Sequence, residues 1–333
     1  MTEELHKLQD EAAGFDAAAA PQDGSSRRRA LRAPPLVALF TDKIDWHVEA
    51  FARGLQRLGA RPVPVRLSAC RIDTTRPQGL AIPGFHASLP DLAIVRAIGD
   101  GSLEEITMRL GVLHALQASG VPVVNDARAI ERCTDKSMAT FLLARAGLKT
   151  PATFVAQSLR EARAIAAREC ADAPLVLKPL FGAQGWGLRL IRDPAELPQP
   201  SEARYVYYLQ RFVAPRASAQ GFEDMRVLVS RGAVVGAMRR SATSWITNVR
   251  QGARPIAVTP SAEEKSLALA AAHALGADCA GVDLIWDEAG APLVLEVNSM
   301  AGWSGLQRVT NFSIAERLAS DALAMIAPGS VAS

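Results

Sequence analysis

Residues 293–305 read LVLEVNSMAGWSG, and the first six of them decide how the chain is organised. Apolar residues alternate with Glu296 and Asn298, so both polar side chains leave the same side of one strand. Upstream, residues 281–286 read GVDLIW, followed by the turn-forming DEAG at 287–290 and then Pro292. Folded into an antiparallel pair about Ala289–Gly290, the two runs set Leu284 opposite Leu295 and Asp283 opposite Glu296. One face is then Val282, Leu284, Trp286, Leu293, Leu295 and Val297, and the other carries Asp283, Glu296 and Asn298. Two carboxylates and an amide oxygen on an otherwise apolar sheet are costly to bury without a positive charge between them. A hard, oxygen-seeking cation suits them, and Mg2+ with phosphates completing its shell suits them best. The plain alternative is a hairpin whose polar face lies in water.

Working outward, 333 residues are too many for one core, so two or three domains are expected. Apolar residues make up 49% of the chain, enough for substantial cores. A net charge of only +3, with no basic stripe or polybasic patch, argues against nucleic acid and membrane as partners. Lysine is scarce, six against 31 arginines, so a lysine inside a motif carries more information than usual. Cys70, Cys133, Cys170 and Cys279 are far apart and form no metal spacing; they read as small buried hydrophobes in a reducing cytoplasm.

Residues 1–33 are polar and read as a loosely attached leader. Strands at 35–40, 61–67, 91–97 and 121–125 alternate with helices at 45–58 and 101–119, which predicts a parallel α/β domain over 35–128. A helix opening at Thr134-Asp135 carries Lys136 in its first turn, against the helix dipole, a conflict that a phosphate would relieve. Residues 173–191, APLVLKPLFGAQGWGLRLI, read strand, loop, strand. Lys178 ends the first strand, just before Gly182, Gly185 and Gly187, which let backbone amides approach an oxyanion. The glycine spacing is neither a Walker loop nor GxGxxG; a glycine-rich hairpin with a snorkelling lysine is the bland alternative. Beyond it lie YVYYLQRFV (205–213), with Gln210 near its end, then EDMRVLVS, AVVGAMRR, WITNVR and an alanine-rich helix over 262–276. These antiparallel strands and helices make the second half α+β. Asp224 and Arg226 share one strand face, while Met238 and Arg240 lie opposite Arg239.

No serine elbow, cysteine–histidine pair or zinc signature is present. Lysines, a glycine loop and a D…E-x-N set instead describe ATP held by lysines and backbone amides, with Mg2+ bridging it to Asp283, Glu296 and Asn298. Arg226 and Arg239 are left for a second anion, such as a carboxylate being phosphorylated. Phosphoryl transfer needs positioning and charge neutralisation more than a protein nucleophile.

Taken together, TDKSMATFLLARAGLKTP, LVLKPLFGAQGWGLRLI, YLQRFV, EDMRVLVSRGAVVGAMRR, WITNVRQGA, GVDLIW and LEVNSMAGWSGLQ resemble the RimK-like α-L-glutamate ligases of the ATP-grasp superfamily over about residues 35–326. The resemblance implies a three-lobed ATP-grasp fold: an N-terminal parallel α/β domain (35–128), a central subdomain with the glycine loop (129–200) and a C-terminal subdomain with the metal site (201–333). It further implies that Lys136 and Lys178 contact ATP phosphates, with Gly182, Gln184, Gly185 and Gly187 in the covering loop and Gln210 lining the adenine pocket. Asp283, Glu296 and Asn298 would bind Mg2+ or Mn2+, with Arg239, Arg226 and Asn248 facing the reacting groups. The implied reaction joins a carboxylate to an amine through an acyl phosphate. WSGLQRVT after the EVN motif is similar to RimK-like proteins tied to tetrahydromethanopterin-linked one-carbon metabolism in methylotrophic bacteria. That implies L-glutamate added to a pterin- or furan-type coenzyme precursor, by a dimer or tetramer. Trp186, Trp245 and Trp303 offer a stacking surface for an aromatic acceptor, or simply pack. Glutamate addition to a protein or peptide tail, a small-molecule kinase and a non-catalytic ATP-binding regulator are the competing readings.

Overall fold

A computed structural model describes residues 33–327 apart from 183–184, 215 and 219–220; the expected leader and Gln184 lie outside the described residues. The chain folds as two compact units, one holding residues up to 127 together with those from 315, the other residues 128–314.

In the first unit β1 (Leu36–Phe40), α1 (Trp46–Arg57), β2 (Arg61–Val65), β3 (Arg71–Ile72), β4 (Leu80–Ala81), β5 (Leu92–Val95), α2 (Leu103–Ala118) and β6 (Val123–Val124) follow in order. Four of these strands form a parallel sheet, β2-β1-β5-β6, as the strand–helix alternation predicts. Helix α1 begins where the Asp45 carboxylate accepts the Val48 N–H. Helix α2 begins at a reciprocal Ser102–Glu105 capping box. Val48, Phe51 and Leu55 of α1, and Val112, Leu113 and Leu116 of α2, bury one apolar face each.

The second unit begins inside α3 (Ala127–Thr134), from Arg128, and continues with α4 (Lys136–Arg145), β7 (Thr153–Ala156), α5 (Leu159–Glu169), β8 (Leu175–Lys178), β9 (Arg189–Ile191) and β10 (Tyr207–Arg211). Its strands make an antiparallel sheet, β7-β10-β8-β9. Then come β11 (Arg216–Ser218), β12 (Gly221–Ser230), β13 (Ala233–Ala242), β14 (Arg254–Val258), α6 (Ala262–Leu275), β15 (Cys279–Trp286), β16 (Pro292–Asn298) and α7 (Ser304–Gln307). They form a second antiparallel sheet, β14-β13-β12-β15-β16, with β11 on β12. Ala268, Ala271, Ala272 and Leu275 of α6 pack on Met225, Val227, Val282, Leu284, Val294 and Val297. Small alanines let the helix lie close to the sheet, and each large apolar side chain buried there contributes about 1.5–3 kcal/mol.

The last helix, α8 (Ile314–Leu323), belongs from Ala315 onward with the first unit, although its sequence position suggests the C-terminal subdomain. Gly54 of α1 eases the fit: a Cβ there would stand 3.1 Å from the Ala315 carbonyl oxygen, tighter than most real contacts, so the helices would have to move apart by a few tenths of an ångström.

Two β-bulges alter the registers expected from simple alternation. In the β15–β16 hairpin Trp286 pairs with Pro292 and Leu284 with Val294, yet Asp283 pairs with Glu296, leaving Leu295 as an extra residue. Val294 therefore enters the core in place of Leu293 and Leu295, and Leu295 lines the cleft beside Glu296. In β12–β13, Val229 pairs with Val234 and Leu228 with Gly236, so Val235 is extra and Asp224 comes opposite Arg240. Each bulge turns a residue to the other face of its strand.

Candidate active site

A cleft runs through the second unit, and Lys136, Lys178, Gly182, Gly185, Asp283 and Glu296 all line it. Lys178 ends β8, where its Nζ donates to Gln210 Oε1 at 2.6 Å. The Gln210 amide donates in turn to Thr153 Oγ1 at 3.0 Å and to the Tyr208 hydroxyl at 3.3 Å. Every polar atom of Gln210 is thus engaged, and it steadies Lys178 as well as lining the cleft. Burial pushes the Lys178 ammonium down from 10.5 to about 8, with only partial opposition from Glu296.

Asp135 caps α4 by accepting from the Ser137 and Met138 amides, which sets Lys136 at the helix start. Lys136 Nζ donates to the Gly182 carbonyl at 2.6 Å and lies 3.5 Å from Glu296 Oε1. These two oxygens answer the unfavourable dipole and tie the glycine loop to the carboxylate. Gly185 and Gly187 have φ of +74° and +76°, and a Cβ on Gly185 would stand 2.4 Å from Asn248 Oδ1. The glycine loop therefore rests directly on the segment carrying Ile246 and Asn248.

The cleft floor is a buried charge network. Asp283 accepts Arg226 Nε at 2.6 Å and Nη2 at 2.7 Å, and Arg240 Nη2 approaches it at 3.1 Å. Arg240 also forks onto Asp224, whose Oδ2 takes the Thr247 hydroxyl as well. Burial raises the Asp283 carboxyl, but Arg226 and Arg240 outweigh it and hold the group below its ordinary range. For Asp224 burial wins, and its carboxyl is pushed up despite Arg240.

Among the described residues no three His, Cys, Asp or Glu side chains cluster to hold a metal by themselves. Glu296, with one lysine at 3.5 Å, is the most available carboxylate. Asp283 Oδ1 accepts one N–H, so a carboxylate lone pair remains on it. Among the described residues Asn298 makes a single long side-chain hydrogen bond, Nδ2 to the Gly281 carbonyl at 3.5 Å, which leaves its Oδ1 to coordinate. This donor set fits a hard cation that arrives with oxygens of its own, as Mg2+ on a nucleotide does, and would be poor for a resident metal.

A model described as the RimK-like ATP-grasp domain matches residues 133–322, the stretch that builds this cleft. The chain belongs to the RimK-like ATP-grasp family. It is accordingly an ATP-grasp carboxylate–amine ligase. The tetrahydromethanopterin:alpha-L-glutamate ligase of Methanococcus maripaludis is 30% identical over 86% of this chain and 97% of its own. The protein of the same name from Methanosarcina acetivorans is 32% identical over 74% of this chain and 80% of its own. Among solved structures, the ATP-grasp ligase PsnB complexed with its minimal precursor superposes with a TM-score of 0.69 over 88% of this chain and 99% of that one, at 22% identity. A RimK-domain ATP-grasp protein from Sphaerobacter thermophilus gives 0.64 over 86% of this chain and 99% of that one, also at 22% identity. At such identities the two structures establish the ATP-grasp fold alone.

In this RimK-like chain two residues expected at the reaction centre are placed otherwise. Arg239 is on the helix-covered face of the sheet, 3.8 Å from Glu223 Oε2 with its guanidinium over the Trp286 ring, so it does not line the cleft. The bulge at Val235 is the cause, because it exchanges the faces of Arg239 and Arg240. Arg226 is spent on Asp283 and stands beneath the cleft. Trp303 is only 1% exposed and packs as core, whereas Trp186 and Trp245 line the cleft. Asn248 lines it too. The residues missed from sequence are Arg240, Asp224 and Thr247. Strand alternation already put Arg240 opposite Arg239, and that was the available signal.

Proposed function

We propose that this chain joins the α-amine of L-glutamate to a carboxylate of a tetrahydromethanopterin-type coenzyme precursor, with ATP as the energy source, in the cytoplasm. The observation that carries the reading is the convergence of Lys136, Lys178, Arg240, Asp283 and Glu296 in one cleft, whose described lining includes no serine, cysteine or histidine. Such a site stabilises transferring phosphate without forming a covalent enzyme intermediate. The glutamate and pterin parts rest on the names of the relatives from M. maripaludis and M. acetivorans, and the exposed Trp186 with Trp245 gives a flat acceptor ring somewhere to stack.

A carboxylate oxygen of the acceptor attacks the γ-phosphorus of ATP and ADP leaves. The glutamate amine then attacks the acyl carbon, phosphate leaves, and the amine proton passes to solvent. Lys178 and Lys136 hold the phosphates, the glycine loop covers them, and Arg240 steadies the acyl oxygen and phosphate. Mg2+ held by Glu296, Asn298 and Asp283 would neutralise phosphate charge. The test is mass spectrometry after incubation with Mg-ATP, L-glutamate and a panel of pterin, furan and peptide acceptors. A pterin product heavier by one glutamyl residue supports the proposal. ADP release with no new amide, or glutamylation of the peptide only, refutes it.

A further inference from the structure

Asp224 has no assigned part in the chemistry above, yet both of its carboxylate oxygens are engaged by buried donors. It is 3% exposed, and its partners Arg240 and Thr247 are 2% and 7% exposed. Oδ1 accepts Arg240 Nε at 2.6 Å, while Oδ2 accepts Arg240 Nη2 and the Thr247 hydroxyl. A buried ion pair is weak ground for stability, since apolar residues of the same volume often do as well. Its value here lies in direction.

Arg240 presents five N–H donors in a rigid plane. Asp224 fixes the Nε–Nη2 edge, and Asp283 lies at 3.1 Å from Nη2. Among the described residues Nη1 has no hydrogen-bond partner, and Arg240 lines the cleft. The same carboxylate reaches across to Thr247, next in sequence to Asn248, against which the glycine loop rests at Gly185. One side chain thus touches both the arginine on the sheet and the loop that supports the phosphate cover.

We propose that Asp224 is a positioning residue that sets the Arg240 guanidinium and the Thr247–Asn248 segment in register with each other. The proposal rests on the ligase reading for its kinetic arm only. Thr247 is the variant of choice, because replacing Asp224 strands a buried arginine and risks the fold. Thr247→Val keeps the shape and removes the hydroxyl; Thr247→Ser restores it.

Two measurements on the full chain test the idea. In hydrogen exchange without substrates, Thr247→Val is expected to speed exchange of the amides over 243–251 about tenfold, with Thr247→Ser close to wild type and Tm the same for all three. In turnover with Mg-ATP, Thr247→Val is expected to lose roughly 10- to 100-fold in kcat, as small misplacements of reacting groups do, with little change in the KM for ATP. Unchanged exchange and kcat in Thr247→Val overturn the proposal, as does equal impairment in Thr247→Ser. Absence of turnover in the wild type would sink the ligase reading, and the exchange result alone would then decide the role of Asp224.

Discussion

Lys178 carries the plainest pH dependence in the molecule. Its folded pKa of about 8 lies below the ordinary 10.5, so between those values the unfolded chain holds a proton that the folded one lacks. Fold stability from this group therefore rises with pH across that window, whereas phosphate binding needs the ammonium and weakens. Calorimetric Kd values for Mg-ATP are expected to be flat below pH 8 and then to rise, by at most about tenfold per pH unit. Lys178→Arg should abolish the trend, and a flat profile in the wild type would contradict the assignment. The two neighbouring arginines give a second contrast. Arg240→Ala is expected to lose roughly 10²–10³-fold in kcat, in line with loss of one preorganised charge at a reacting oxygen. Arg239→Ala removes only a contact with Glu223 and Trp286 on the far face, and should keep most of the activity. Equal losses in the two would overturn the placement of Arg240.

At the scale of the element, the glycine loop and the two bulged hairpins decide the geometry. Gly120→Ala and Gly185→Ala both force alanine to positive φ, +83° and +74°, at about 1–2 kcal/mol each. A Cβ at Gly120 meets nothing within 4 Å, while one at Gly185 meets Asn248 Oδ1 at 2.4 Å. Gly185→Ala is therefore expected to lose turnover and at least as much Tm as Gly120→Ala, which should keep its turnover, as thermal melts and steady-state rates on both variants will read. The hairpins show why the site was legible in part. Alternation placed Asp283, Glu296 and Asn298 together, because the β15–β16 pairing at Asp283 is the one a plain hairpin predicts. It failed for Leu295 and for the Arg239–Arg240 choice, since a single extra residue reverses faces and no local residue type announces Leu295 or Val235 as the bulge. Helix starts were easier, because Asp45 and Asp135 cap within their own turn.

Across the whole molecule, the parallel sheet of the first unit was readable from strand–helix alternation, which is a local pattern repeated. The position of α8 was not. Its attachment to the first unit depends on a close approach at Gly54, some 260 residues earlier in the chain (Gly54 to Ala315), and such a pairing leaves no trace in local periodicity. Likewise the Asp224–Arg240–Asp283–Arg226 network joins three strands and is visible only once β12 is seen between β13 and β15. What the whole assembly is built to do, on this account, is to move a phosphoryl group onto a carboxylate and then exchange it for an amine. The direct measurement is the fate of oxygen. With the acceptor carboxylate labelled with heavy oxygen, and Mg-ATP and L-glutamate supplied, mass spectrometry of the released phosphate should find one labelled oxygen per amide formed. Phosphate released without label, while amide accumulates, would contradict the acyl-phosphate route.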